Sequence, residues 1–333
     1  MPDPSLLLLF LIIALAIGFG VVNGFNDAAN AIAPAIGSRA LSPRNALILG
    51  AVFNLVGAAT GLEVARTIGK GILVPEAISY LTVTAGLATV IVWGTMATYW
   101  GLPVSITHSF ITGLATAGVA AVGSEAIQWS VLQRVLTSVV AAPALGFIGG
   151  FALMVILFWV FRRSAPSGIR VIFTRLQWLA TAFLAYSHGK NDGQMPIGVI
   201  TMALVIYTGQ AGLWDHIPWW VIAISALAIS SGTAIGGWRV IRTLGLRITT
   251  LRPVNGFAAE TAGAAVIETA SLLGIPISTT HCITTAIMGV GATRRLSAVR
   301  WGVGRTIVAA WIITFPVCGG LGYLFARLLQ AIF

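Results

Sequence analysis

The chain has 333 residues, of which 57% are hydrophobic and 8% charged. Soluble domains carry roughly 25% charged residues, so this composition excludes a soluble globule. The net charge of +10 is spread between apolar segments, with no basic tail or aromatic-interleaved patch. It therefore reads as topology signals beside membrane helices rather than as a nucleic-acid surface.

Apolar stretches of about 20 residues, each long enough to span a bilayer, recur along the chain. The first, at 6–22, follows Asp3 rather than a basic leader and runs straight into a polar motif. It reads as a retained membrane helix, not a signal peptide. In chain order the segments lie at 5–36, 44–62, 77–99, 104–123 and 131–161, then at 176–207, 217–237, 254–273, 276–293 and 304–331. Cys282 and Cys318 are far apart and suggest neither a disulfide framework nor a metal cluster.

Two polar motifs interrupt this pattern, and each occurs twice. Asn26-Asp27 recurs as Asn191-Asp192, and the stretch from Gly101 to His108 recurs from Gly274 to His281. Motifs in the same order at similar spacing make an internal repeat. Five segments per half, an odd number, require the second copy to enter the membrane from the opposite side. The basic residues agree. With the amino terminus outside, the loops at 37–45, 162–175, 238–252 and 294–305 lie inside and hold 14 of the 19 Lys and Arg residues.

The expectation is an all-α membrane protein made of two inverted-topology repeats, 1–161 and 176–333, joined by a short basic cytoplasmic linker at 162–175. Broken helices and re-entrant hairpins are expected at 77–123 and 254–293, where two full spans would leave the same parity. The short Gly-Leu-Pro and Gly-Ile-Pro junctions favour a hairpin tip inside the protein, because irregular backbone at that depth must be buried or line a cavity. Substrate sites in such folds lie near the midplane, where the copies meet.

Asn23, Asn26, Asp27 and Asn30 fall at helical spacings and share one face. Asn191 and Asp192 repeat the motif beside Ser187, His188 and Gln194. A carboxylate in the bilayer core costs at least about 2.5–3.5 kcal/mol, so two at matched positions call for a cation or proton site. Carboxylate and amide oxygens suit a hard cation. After Pro103, Ser105, Thr107 and His108 open a helix, as do Ser278, Thr279, Thr280 and His281 after Pro276. Helix amino termini present free N–H donors and partial positive charge, which suits a tetrahedral oxyanion.

His108 and His281 read as phosphate donors, proton-relay groups or packed core residues. Lys190 pairs with a nearby carboxylate or attracts the anion. Glu260 and Glu268 have no acidic counterparts in the first copy, which points Glu260 to coupling or gating, or else to pairing with nearby arginines.

These motifs resemble those of the inorganic phosphate transporter (PiT) family. The residues that carry the resemblance are Gly24-Phe-Asn-Asp-Ala-Ala-Asn30, His188-Gly-Lys-Asn-Asp-Gly-Gln194, and the Pro-x-Ser-x-Thr-His motifs at 103–108 and 276–281. The resemblance implies an all-helical, multi-pass carrier of the plasma (inner) membrane, often a homodimer, that moves phosphate with sodium or protons. Some relatives carry sulfate or metal–phosphate complexes. It implies a cation, sodium included, at Asp27, Asn30 and Asp192 with Asn26 and Asn191. Ser105, Thr107, Ser278 and Thr280 would surround the anion with His108 and His281 close by. No cofactor beyond the coupling ion is implied.

The chain departs from the family pattern in its short central linker and at Lys190 and Met195, and the last two keep a sulfate permease as an alternative. A membrane hydrolase is disfavoured by the lack of a His-Glu-x-x-His motif. An anion channel would use the helix termini but would not require the twin acidic motifs.

Overall fold

The computed structural model describes residues 4–332. Residues 1–3 and 333, the outer ends of the two expected repeats, lie outside them, and so does Asp3. The described chain is helical throughout, with no strand and one isolated bridge between Leu73 and Ile127.

The first half contains α1 (Pro4–Gly37), α2 (Pro43–Ala58), α3 (Glu63–Gly71), α4 (Tyr80–Trp100), α5 (Ile106–Val122) and α6 (Trp129–Val160). The second contains α7 (Pro166–Asp192), α8 (Gln194–Thr208), α9 (Trp219–Ile235), α10 (Trp238–Arg242), α11 (Pro253–Leu272), α12 (Thr279–Ala292) and α13 (Trp301–Ile332). Because α7 begins at Pro166, most of the basic stretch 162–175 forms its first turns, with proline pre-set for the first helical position.

The order of the first half recurs in the second. The bent pair α2–α3 (66°) is matched by α9 with the helical stretch from Trp238 to Arg247 (61°). Helices α4 and α11 each end at a glycine with positive φ, Gly101 (71°) and Gly274 (64°). The left-handed turn there is open to glycine at no steric cost. Helices α5 and α12 begin with serine caps, Ser105 accepting from the His108 N–H and Ser278 from the His281 N–H. Prolines interrupt α6 at 143 and α13 at 316.

Helices α1, α4, α6 and α13 are long and apolar enough to cross a membrane, and the two bent pairs bring the number to as many as six. At 1.5 Å per residue, the 14 residues of α12 reach only about 21 Å, less than the ~30 Å hydrocarbon core. A helix this short does not cross that core by itself. The outer faces carry large apolar side chains such as Val140, 72% exposed, and Ile312, 64% exposed, which suits lipid rather than water.

Close backbone approach explains the glycine ahead of each Asn-Asp motif. A Cβ on Gly24 would fall 2.1 Å from the Ile229 carbonyl oxygen of α9, and one on Gly189 would fall 2.2 Å from the Asn54 carbonyl of α2. The partner glycines behave alike, with 2.2 Å at Gly232 and 2.0 Å at Gly57. Small residues thus press α1 against α9 and α7 against α2, which fixes where both acidic motifs sit. Gly57→Ala is expected to cost about 1–3 kcal/mol, read as a lower thermal transition in detergent. Gly320→Ala, where a Cβ meets nothing within 4 Å, should leave the transition in place.

Candidate functional site

Asp27 of α1 and Asp192 at the end of α7 come together in the interior, both essentially fully buried. One carboxylate oxygen from each lies within 4.8 Å of the other and of a His188 ring nitrogen. Asp27 Oδ1 accepts from Asn30 Nδ2 (3.0 Å) and Thr280 Oγ (2.9 Å). Asp192 Oδ2 accepts from Thr279 Oγ (3.1 Å). The Asn191 amide lies between Ser271 and this carboxylate. With its nitrogen turned inward it donates to Asp192 Oδ1 (3.0 Å) and the Ile277 carbonyl (3.3 Å) while accepting from Ser271 Oγ.

His188, which the motif reading left out of the cation set, lies with Asp27 and Asp192. Its tautomer follows from a chain of hydrogen bonds. Thr233 Oγ donates to the Ile229 carbonyl (2.9 Å) and so accepts from Asn54 Nδ2 (2.8 Å). Asn54 Oδ1 is then the acceptor for His188 Nδ1 (2.7 Å). The other nitrogen, Nε2, faces Asp192 Oδ2 at 3.2 Å. In the neutral ring this nitrogen carries a lone pair, which meets the carboxylate favourably only through a proton or a cation. The i, i+4 spacing of His188 and Asp192 on one helix face was the sequence signal for it.

The buried oxygens Asn23 Oδ1 and Asn30 Oδ1 have no protein hydrogen-bond partner. The Nδ2 atoms of these two residues lie beside the acidic pair, Asn23 on the Asp192 carbonyl (3.5 Å) and Asn30 on Asp27 Oδ1. Amide oxygens turned to the two carboxylates would complete a donor set suited to a hard cation such as sodium. Not every expected residue joins. Asn26 Nδ2 donates to Thr98 Oγ on α4 (2.5 Å), while its Oδ1, like those of Asn23 and Asn30, has no protein hydrogen-bond partner. Glu260 accepts from Thr181 Oγ (3.1 Å), 11 residues before Asp192 and thus roughly 16 Å away along α7. Gln194 caps α3 instead, its Oε1 accepting from the Val64 and Ala65 N–H groups.

The amino termini of α5 and α12 meet beside this cluster. Thr107 Oγ donates to the Ile277 carbonyl (3.3 Å), and Thr280 Oγ also lies 3.0 Å from the Val104 carbonyl. The first tip therefore bonds to the backbone leading into the second, and the Thr280 hydroxyl, which donates to Asp27, lies against the backbone leading into the first. Ser105 and Ser278 are buried at the caps. The His108 and His281 rings pack edge to face at 5.1 Å, and α13 flanks them, with Trp311 stacked on His281 at 3.9 Å and Phe315 on His108 at 5.6 Å. Trp311 Nε1 donates to the Pro103 carbonyl (2.9 Å), tying α13 to the first tip. Neither His108 nitrogen has a protein hydrogen-bond partner.

Lys190 pairs with Glu268 of α11 at 2.5 Å, its side chain 9% exposed. Of the two readings of Lys190, the ion pair is the one the structure contains. Glu268→Gln strands a nearly buried ammonium and is expected to cost about 2–3 kcal/mol in thermal unfolding. Replacing both partners with methionine should recover most of that loss.

The chain matches the family described as "Phosphate transporter family" over residues 23–322. It is 39% identical over 333 residues to a protein of Bacillus subtilis (strain 168) described as "Probable low-affinity inorganic phosphate transporter", covering 99% of this chain and 100% of that one. A Rhizobium meliloti (strain 1021) protein with the same description is 41% identical over 306 residues, covering 92% and 91%. Among solved structures, one described as "The sodium-dependent phosphate transporter" matches with a TM-score of 0.91 and 26% identity, covering 98% of this chain and 100% of that one.

Proposed function

Because the chain belongs to the phosphate transporter family, we propose that it carries inorganic phosphate across a membrane by symport with a cation, through alternating access of two inverted halves. It is a multi-pass membrane protein of a transport family, not an enzyme. The observation that carries the symport reading is that hydroxyls at one helix terminus reach both buried carboxylates. Thr279 and Thr280 open α12, where N–H donors favour an anion, and their hydroxyls bond to Asp192 and Asp27.

The electrostatics give the order of events. Two bare buried carboxylates repel each other and repel an entering dianion. A cation held by Asp27, Asp192, Asn23 and Asn30 removes that repulsion, and phosphate then binds between the termini of α5 and α12. The hydrogen bond from Thr107 to the Ile277 carbonyl, and the Thr280 hydroxyl placed between Asp27 and the Val104 carbonyl, make the binding of one ion felt by both halves. The recurring element order supports rocking of one half against the other about this site.

Sodium is the first reading for the cation, supported by the oxygen-rich donor set and the sodium dependence named for the solved relative. A proton is the second, favoured by His188 Nε2 facing Asp192. Phosphate is preferred to sulfate because near neutral pH it keeps a proton to donate, and the site offers carbonyl and carboxylate acceptors. The test is labelled phosphate uptake into proteoliposomes under an imposed sodium or proton gradient, with excess sulfate present. Accumulation driven by one gradient and unaffected by sulfate is expected. Equilibration without accumulation would assign a channel, and displacement by sulfate would assign a sulfate carrier.

A further inference from the structure

At the end of the bundle that carries the basic loops, a cavity of about 740 Å³ opens between the end of α1, the end of α6 and the beginnings of α7 and α11. Four arginines line it, namely Arg39, Arg162, Arg170 and Arg252. They come from three separate turns of the chain, and no acidic side chain is among the lining residues. None of the four has a carboxylate within ion-pair distance among the described residues. Arginines marking an inward loop need only lie near the membrane; these surround one concave space.

The remaining wall is apolar, with Leu157, Phe158 and Leu251 on its surface. Phe158 belongs to the outward face of α6, 46% exposed beside Trp159 at 68%, so the cavity is continuous with the face turned to lipid. Arg162 stacks over the Trp159 ring at 4.3 Å, which sets its guanidinium at the level where tryptophans mark the membrane interface. Helix α7 starts at Pro166 on the cavity edge without a side-chain cap, leaving its first N–H groups available to an anion.

The backbone adds an independent sign. Arg39 has φ of 61°, the only non-glycine residue with positive φ among those described. It occupies the left-handed position of a helix-ending turn, with Ala40 N bonded to the Ala35 carbonyl and Arg39 N to the Ile36 carbonyl. Glycine is the usual residue there. Holding an arginine in that conformation is unfavourable for the protein alone, so its side chain has a use that glycine would not supply.

We propose that this cavity is a binding site for an anionic phospholipid, its phosphodiester held by the four guanidiniums and its acyl chains laid along Leu157, Phe158 and the outer face of α6. Guanidiniums match phosphate oxygens in paired geometry, and basic pockets between membrane helices recognise such headgroups. A free phosphate ion would satisfy the arginines but leave the apolar wall uncovered.

The experiment uses the full-length protein in detergent, scored by native mass spectrometry for retained lipid and by thermal shift. The probes are phosphatidylglycerol, phosphatidylcholine of the same chains, and inorganic phosphate. Phosphatidylglycerol should be retained and should raise the transition, while phosphatidylcholine does neither. In Arg39→Gln/Arg170→Gln/Arg252→Gln, retention should weaken by about fivefold for each arginine removed. Arg294→Gln/Arg295→Gln, on a basic turn outside the cavity, should bind as the parent does. Equal loss in that control overturns the proposal in favour of diffuse surface charge. A shift with inorganic phosphate that equals the lipid's and is lost in the triple variant overturns it in favour of a soluble anion, whereas a phosphate shift that the triple variant keeps belongs to the transport site. If the triple variant does not fold, Arg39→Gly carries the test. It relieves the strained turn, so the lipid-free protein should be no less stable while lipid retention falls. Unchanged retention in Arg39→Gly would then count against the site.

Discussion

Asp27→Asn is expected to abolish cation-driven phosphate accumulation while leaving the protein folded. The substitution is isosteric, and the asparagine oxygen can still accept from Thr280 and Asn30, which now bond to Asp27 Oδ1 at 2.9 and 3.0 Å. What it removes is one of two negative charges that face each other and His188 across less than 5 Å. Taking away the carboxylate partner of a buried cation costs about 3 kcal/mol or more, so cation-driven uptake should fall by ~100-fold or more. Size-exclusion elution and the thermal transition should match the parent. Full gradient-driven uptake by the folded variant would remove Asp27 from coupling and leave Asp192 and His188 to hold the cation.

The sequence made much of this site readable because the constraints are local. An Asn-Asp pair within an apolar helix, a glycine just before it, and Ser two residues past a proline are each short-range signals, and their recurrence at matched spacing exposed the repeat. The caps formed where Ser105 and Ser278 predicted them. What stayed hidden depends on rotation and tilt of whole helices. Asn26 shares the helix spacing of Asn23 and Asn30, yet its amide nitrogen meets Thr98 of α4. Glu260 is acidic and buried like Asp192, but it meets α7 about three turns away, at Thr181. Periodicity places a residue on a face and does not say which neighbour that face meets. His188 shows the opposite case. Its spacing from Asp192 was visible, but its role rests on Asn54 and Thr233, from α2 and α9, which fix its tautomer.

Thr280→Val and Thr107→Val should separate coupling from simple anion binding. The two threonines occupy matched positions at the starts of α12 and α5, and each reaches the backbone leading into the opposite tip. Only Thr280 also touches the cation cluster, donating to Asp27 and accepting from Asn30 Nδ2 at 2.8 Å. At the matched position beside it the first copy has Ile106 where the second has Thr279, so the first tip has no hydroxyl equivalent to the one that bonds Asp192. A hydrogen bond to a charged group is worth about 1.5–3 kcal/mol, which corresponds to roughly tenfold to 100-fold in affinity. Thr280→Val should therefore raise the cation concentration needed for half-maximal uptake by that factor and raise the phosphate KM with it. Thr107→Val should raise the phosphate KM while the cation dependence keeps its midpoint. Thr280→Ser, which retains the hydroxyl, should restore both. Equal effects of the two valine substitutions on the cation midpoint would mean that coupling runs through the whole interface between the tips, not through the Thr280–Asp27 bond.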